Sequence, residues 1–432
     1  MIGFSVTDKG SDALLTAIAF LLLNCVSAAA QTAPTTSATT EGSLADTLRQ
    51  LTQQTSAVRE VGEAIRVNTA IEVAGAPLAT SSGGFAFKLD KSTGLEARTA
   101  STFGPAFAER AITSGAGKMS FAGTLMVATY DTLGPPRKST TFPTTNNLDR
   151  FPLAKLESSD PLFNQTGIMS LVLNSETTVI QGVMGATDIL DVGVAVPIVR
   201  VRLNALSWVE DANGSILIRA TGKGESTGLG DVALLGKLRL LRFGKKPPPD
   251  APLTPDPGGF ALVATVRLPT GSRENLRGLG ITRTLGSLVF SAGKKKFRPH
   301  ANIGYEWWSK GIDIVSDFQP TVTARHSFQY AVGIELEAAP KLTVIVDFLS
   351  RQINGGGKLG YVSSPISIPN LPVTSATFAG AQSEGILKQS LAPGLKWNLK
   401  GKVLLSLHGI FSIRDNGLRD KFTPVVGLDW TF

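Results

Sequence analysis

The residues that could act on a solute are charged side chains spaced two apart in β-type sequence. Arg200 and Arg202, Lys237 and Arg239, and Arg267 fall in consecutive runs of alternating pattern. If those runs pair as neighbouring strands, about 4.8 Å apart, their charges stack into a basic ladder on one wall. Farther along, Glu335, Glu337, Asp347 and Arg351 form a mixed, mostly acidic set, and Asp231 and His408 complete the lumen-lining candidates. Opposed charged walls in a pore set a transverse field and bias which ions pass. The same residues also suit a plainer role, pairing with one another to solvate a filled lumen.

Other chemistries lack their residues. Gly228-Leu-Gly230-Asp231 has neither the full spacing of a dinucleotide fingerprint nor a following helix, and Gly115-Ala-Gly117-Lys118 has Met119 where a phosphate loop needs Ser or Thr. One Cys and three His in 432 residues exclude a disulfide framework and Cys-based metal sites. Ser406 and Ser412 share a strand with His408, but positions two apart on a strand are about 7 Å from each other, too far for a Ser–His bond. His300 and His326 have no better acid–base company. The chain is therefore read as a non-enzyme with no catalytic residues, metal or cofactor. The run Lys294, Lys295, Lys296 and Arg298 lacks interleaved aromatics. It reads as a solvated turn facing anionic headgroups, and no nucleic-acid partner is expected.

What must position these charges is a β architecture behind an export signal. Residues 1–30 read as a signal peptide, with the apolar run Leu14–Ala30 ending in Ala28-Ala29-Ala30. A lipidated Cys25 would be the alternative, but Asn24 precedes it where a small residue is wanted. Residues 31–42 are a Thr/Ser/Ala-rich linker. Residues 43–66 predict an amphipathic or heptad helix, with Ser43 and Asp46 at capping-box spacing and a seam through Leu44, Leu48, Leu51, Thr55, Val58, Gly62 (or Val61) and Ile65. That seam would serve either a homo-oligomer or packing on the chain itself. Residues 67–118, rich in small residues from Ala76 to Lys118, predict a plug-like or edge segment.

From 119 to 432 the period is two, predicting an all-β, antiparallel transmembrane barrel of about twelve strands (12–14). The runs are Met119–Tyr130, Met169–Met184, Asp191–Leu206, Leu229–Leu241, Phe260–Leu268, Ile281–Ala292, Arg298–Trp308, Phe328–Glu337, Leu342–Ile353, Ile386–Trp397, Lys402–Arg414 and Thr423–Phe432. Most match or modestly exceed the roughly 9–11 residues that a tilted spanning strand requires. Val426, Leu428, Trp430 and Phe432 share one face, with Gly427, Asp429 and Thr431 on the other. A soluble sandwich would show the same alternation, so connection lengths decide. Short links (185–190, 293–297, 338–341, 398–401), with a middling, Pro-rich member at 242–259, alternate with longer ones (131–168, 207–228, 269–280, 309–327, 354–385, 415–422), as periplasmic turns and outer loops do. Trp208, Trp307, Trp308, Trp397 and Trp430 sit at or near strand ends, where an aromatic girdle contacts outer-membrane lipid. Within the run Asp191–Leu206, Val192, Val194 and Val196 give way to Val199, Val201 and Leu203 around Pro197, an inversion that predicts a bulge.

The runs Gly193–Leu203, Ser226–Leu241, Val266–Gly280, Pro299–Trp307 and Thr423–Phe432 resemble a family of bacterial outer-membrane barrels, labelled MetA-pathway-of-phenol-degradation-like or outer-membrane transporter. Ser81–Asp90 and Phe103–Ala111 resemble its N-terminal region. The resemblance implies a porin-like barrel in a Gram-negative envelope that passes small solutes, with hydrophobic or aromatic compounds as the class to test. A non-conducting structural or adhesive barrel stays open beside it. The chain departs from the family in its basic balance, Lys+Arg 42 against Asp+Glu 34, and in its heptad helix.

Phe432, closing an apolar alternating strand, matches the signal that barrel-assembly machinery reads. Replacing Phe432 by Asp should lower the heat-modifiable, membrane-inserted fraction more than it alters any solute handling. Normal insertion would remove the assembly role.

Overall fold

The computed structural model describes residues 35–37 and 42–432, apart from 57–58, 79, 81–83, 85–86, 91–94, 99, 131, 134–147, 245–254, 294–295, 316–319, 366–372 and 416. The expected signal peptide, Val58 and the pair Lys294 and Lys295 lie outside the described residues. Twelve antiparallel strands close a barrel. They are β1 (Met119–Tyr130), β2 (Gln165–Gly185), β3 (Leu190–Asp211), β4 (Ala233–Arg242), β5 (Gly258–Arg267) and β6 (Arg283–Ala292), then β7 (Phe297–Trp308), β8 (Val322–Ala339), β9 (Leu342–Asn354), β10 (Ile386–Lys400), β11 (Val403–Asp415) and β12 (Phe422–Thr431). Each pairs with the next in sequence, and β12 pairs with β1, so none of these twelve is an edge strand. Reciprocal bonds join Met119 and Phe432 across the seam, at 3.0 and 2.9 Å.

Side chains sort by polarity in the sense opposite to a soluble core. On β12 the exposed outward residues are Val426, Leu428 and Trp430, while Asp429 and Thr431 are buried inside. A belt of exposed Leu, Val, Ile and aromatic residues continues around the strands. Toward the turn end, which carries residues 340–341 and 401–402, Trp397 and Trp430 point out, and Phe432 packs against Phe121 and Trp430. Toward the other end, Trp307 and Tyr305 contact each other, as do Phe411 and Phe422. Two tryptophans depart from the expected girdle. Trp308 has the opposite parity from Trp307 and is buried in the lumen, donating to Glu306 at 2.8 Å. Trp208 lies high on an extension of the wall, beneath Arg150.

That extension explains the pattern inversion in β3. The β2–β3 register runs from Gln165↔Asp211 to Gly185↔Asp191 without a shift, so the expected bulge at Pro197 is absent. Even-numbered residues face outward throughout. Below residue 198 they are Val192 and Val194 in the apolar belt. Above it the apolar residues are Val199, Val201 and Leu203, facing inward and nearly inaccessible. Pro197 sits where the partner of β3 changes from β4 to the strand Ile216–Leu229, a place where a missing N–H removes no ladder bond between paired positions. The long connections hold further strands, Phe151–Ser158, Ile216–Leu229, Lys358–Pro365 and Val373–Gln382, which raise the wall beyond the belt.

Inside this raised wall lies the N-terminal region. The helical stretch forms two helices, α1 (Leu44–Ser56) and α2 (Arg59–Ala74), where the sequence pattern predicts one over 43–66. The Ser43 hydroxyl accepts from the Asp46 N–H at 3.2 Å and donates to the Asp46 carboxylate at 2.7 Å. The seam residues Leu44, Leu48, Leu51 and Thr55 are buried within the chain itself. Two glycines permit the approach: a Cβ on Gly222 would meet Leu51 and Thr47 at 2.7 Å, and one on Gly224 would meet Leu44 at 2.5 Å.

Glu63 of α2 ties the helices together by bonding Arg66 at 2.7 Å and Arg49 of α1 at 3.2 Å. Burial opposes its ionisation, but hydrogen bonds and charge from Arg66, then from Arg49, hold its carboxyl below the ordinary value near 4.5. A depressed carboxylate stabilises the pair above the unfolded pKa, and that contribution fades as pH falls through the folded one. The α1–α2 amides should therefore keep their hydrogen-exchange protection from neutral pH to about 4.5 and lose it first on further acidification. Glu63→Gln should abolish that pH dependence.

Candidate functional site: the lumen and its cavity

The inner parity of the strands collects most, not all, of the charges singled out in sequence. Lys237, Arg239, Glu335 and Asp347 are buried inside, and Arg267, Arg351 and His408 face the same way half-buried. Glu337 lies half-buried on the inner parity at the turn end, opposite Thr343. Arg200 and Arg202 do not belong to this wall. They project outward, above the apolar belt, and pair with Glu176 and Glu225 on the flanking strands. The reason is the boundary in β3: above Ile198 the inward side is the apolar one, so the charged parity faces solvent. The basic ladder is thus split between two surfaces.

Two of the inward cations are held by carboxylates. Lys237 pairs with Glu109 at 2.6 Å. Arg239 forms a two-pronged bridge to Asp256, each N–O distance 2.7 Å. Asp256 stands in the turn between β4 and β5, and although burial opposes its charge, the Arg239 guanidinium holds its carboxyl below the usual range. Asp231 lies at the break between Ile216–Leu229 and β4. It accepts from Gly271, Leu279 and Arg283, which folds the 269–280 connection inward. Ser406 bonds Asp429 rather than His408, and the His408 ring sits edge-on to Phe107, 5.8 Å between centroids.

Residues 100–118 cross the lumen as irregular, bent backbone, and the wall supplies their hydrogen-bond partners. One carboxylate oxygen of Asp347 accepts from the N–H groups of Ala106, Phe107 and Ala108 at 3.0, 3.0 and 3.3 Å. Its other oxygen meets His300 at 2.7 Å. Glu335 accepts from Gly104, Asp191 from Ser114, Asn302 from Glu109, and Ser291 from Ala111. Lys396 donates to the Pro105 carbonyl at 2.7 Å. Gly115 and Gly117, both at positive φ, then turn the chain into β1.

Between this crossing and the end of α2 is a cavity of about 290 Å³. One side is apolar, where Leu78 and Phe107 pack with Met126, Leu235 and Ile410. The other carries Arg267, Arg283, Arg351 and Glu306. Glu306 binds Arg351 at 2.7 Å and lies 3.6 Å from Arg283. Arg283 also donates to the Ala74 carbonyl at 2.8 Å, as Arg267 does to Ala74 and Ala76 at 3.5 and 3.2 Å. Cations therefore meet the negative end of the α2 dipole. Arg283, Glu306 and His300 are lumen residues that the sequence pattern does not single out, though they occupy the polar parity of Ile281–Ala292 and Arg298–Trp308. Following every strand's inner face would find them.

No family model and no curated sequence matches the chain, so the family resemblance seen in its motifs gains no sequence support. Solved structures with a similar barrel include the COG4313 outer membrane channel from Pseudomonas putida F1, at 12% identity and TM-score 0.44, covering 74% of this chain and 97% of that one. The Ralstonia pickettii toluene transporter TbuX follows at 11% and 0.33, covering 74% and 90%. A Pseudomonas aeruginosa FadL homologue gives 9% and 0.31, covering 82% and 97%. The likeness is one of barrel architecture, and no residue role is carried across.

Asp347 generates a direct test. Asp347→Ala strands three buried N–H groups and His300, a loss of about 3–5 kcal/mol for a broken buried charge interaction. Amide exchange over residues 103–111 should accelerate at least a hundredfold, while the barrel strands keep their protection. Unchanged exchange in the crossing segment would show that other contacts hold it.

Proposed function

We propose that the chain is an outer-membrane barrel that passes small, largely apolar solutes, aromatic compounds included. The observation that carries this reading is the reversed polarity of a closed sheet: an exposed apolar belt outside, and inside it a cavity with one apolar and one polar side. Water would penalise such a belt, whereas lipid does not. In this reading residues 1–30 direct export, barrel-assembly machinery inserts the chain, the short turns face the periplasm, and the raised wall faces outward. A mixed apolar and polar lining suits solutes that water-filled porins do not favour.

The second reading is a non-conducting structural barrel, favoured by the N-terminal residues that occupy the lumen. Uptake separates the two. Cells whose outer membrane limits entry of a dilute labelled aromatic solute, such as benzamide, should take it up several-fold faster when the protein is present. Leu235→Trp, which fills the cavity, should return uptake to baseline while the barrel stays heat-modifiable. Equal uptake with and without the protein would favour the structural barrel.

A further inference from the structure

We propose that the cavity is a binding site for a small amphipathic monoanion, an aromatic or short aliphatic carboxylate, whose head group is taken by Arg267. This rests on the passage reading and names the solute class. Around the cavity the carboxylates are already engaged: Glu306 by Arg351 and Arg283, Glu109 by Lys237, and Glu72 by Lys388. Asp420, at the far side, accepts from Thr129, Phe422 and Thr423. Arg267 differs. Among the described residues it has no carboxylate within ion-pair distance, and its polar contacts are two backbone carbonyls, one long at 3.5 Å and one at 3.2 Å. It lies half-buried inside a closed wall and lines the cavity, so the surface it keeps is turned to that space.

A guanidinium has five N–H donors in a planar fork that matches a carboxylate. Two carbonyls leave most of that capacity unused in a site screened from bulk water, where an unpaired charge is costly. Glu306 and Asp231 act on Arg267 only from beyond ion-pair distance and are offset by Arg283 and Arg351, so a monoanion would supply the contact partner that it lacks. On the same inner face of β5, Val263 leads from Arg267 toward the apolar side formed by Leu235 and Phe107. A ligand with a charged head and an apolar body therefore meets both surfaces at once. Benzoate, far smaller than the cavity, is the simplest such probe. A neutral isostere such as benzamide satisfies the apolar side but leaves the guanidinium charge uncompensated.

The test is isothermal titration of the detergent-solubilised full chain at neutral pH. Benzoate should bind at least tenfold more tightly than benzamide. Arg267→Gln should erase the preference, Arg267→Lys should retain part of it, and the outward Arg200→Gln should leave it unchanged. Because Arg267 also contacts the end of α2, the unmodified protein provides a measurement that no folding defect can confuse: equal affinity for benzoate and benzamide overturns the proposal. Retention of the full preference in Arg267→Gln overturns the assignment to Arg267. Preferred benzoate binding without benzamide uptake by cells would leave the anion site standing and remove the passage reading. Uptake of benzamide with no preference for benzoate would do the reverse.

Discussion

An irregular backbone laid through a barrel has neither a helix nor a neighbouring strand to satisfy its N–H groups, and in an enclosed space each unmet donor costs about 1–3 kcal/mol. The wall residues Asp347, Glu335 and Asp191 answer that constraint for residues 104–114. Much else follows from it. The carboxylates must point inward, so the outward parity of the same strands is left to apolar residues, and His300 is drawn to Asp347. The crossing in turn delimits the floor of the cavity, and the arginines beyond it receive the carbonyl end of α2.

The interior thus works by mutual neutralisation more than by display. Lys237 with Glu109, and Arg239 with Asp256, could pass strand by strand for a basic wall facing a channel. In the folded chain they fasten the crossing segment and the β4–β5 turn. Buried pairs of this kind add little net stability over apolar packing, but removing one partner is costly. They fix where each segment sits. Among the described cations that line the cavity, Arg267 is the exception, since Arg283, Arg351 and Lys388 each have a carboxylate partner.

Much of this is legible in sequence where one physical rule holds along a whole strand. The barrel strands, the closing strand at Phe432 and the sorting of short and long connections all follow from period two and length. The rule fails where the surroundings of a strand change partway. In β3 the inversion at Pro197 mimics a bulge and places Arg200 and Arg202 inward, because alternation alone gives parity and not which side is wet. The strands Ile216–Leu229 and Val373–Gln382 are hidden within long connections, since strands that leave the membrane lose the apolar face that marks them. The pattern predicts one helix where two pack together, because the helical register carries on past residue 66 on residues that only the surrounding wall makes buried. Arg283 and Glu306 are visible in composition but do not stand out among many inner-face positions.

The uninterrupted register of β2 and β3 has a consequence for how this wall can vary in height. Both strands keep the same faces in and out across the boundary at Ile198, so the belt and the raised wall share one phase. Matched two-residue insertions in β2, β3 and Ile216–Leu229 above that boundary would lengthen the raised wall by one repeat of the pleat, about 6.8 Å along the strand, and disturb no lipid-facing position. An odd insertion would exchange the faces of everything beyond it, turning Val201 and Leu203 to solvent and the Arg200 cluster into the helices. Length is therefore quantised in pairs of residues, and the distance between the membrane surface and the rim can drift only in those steps.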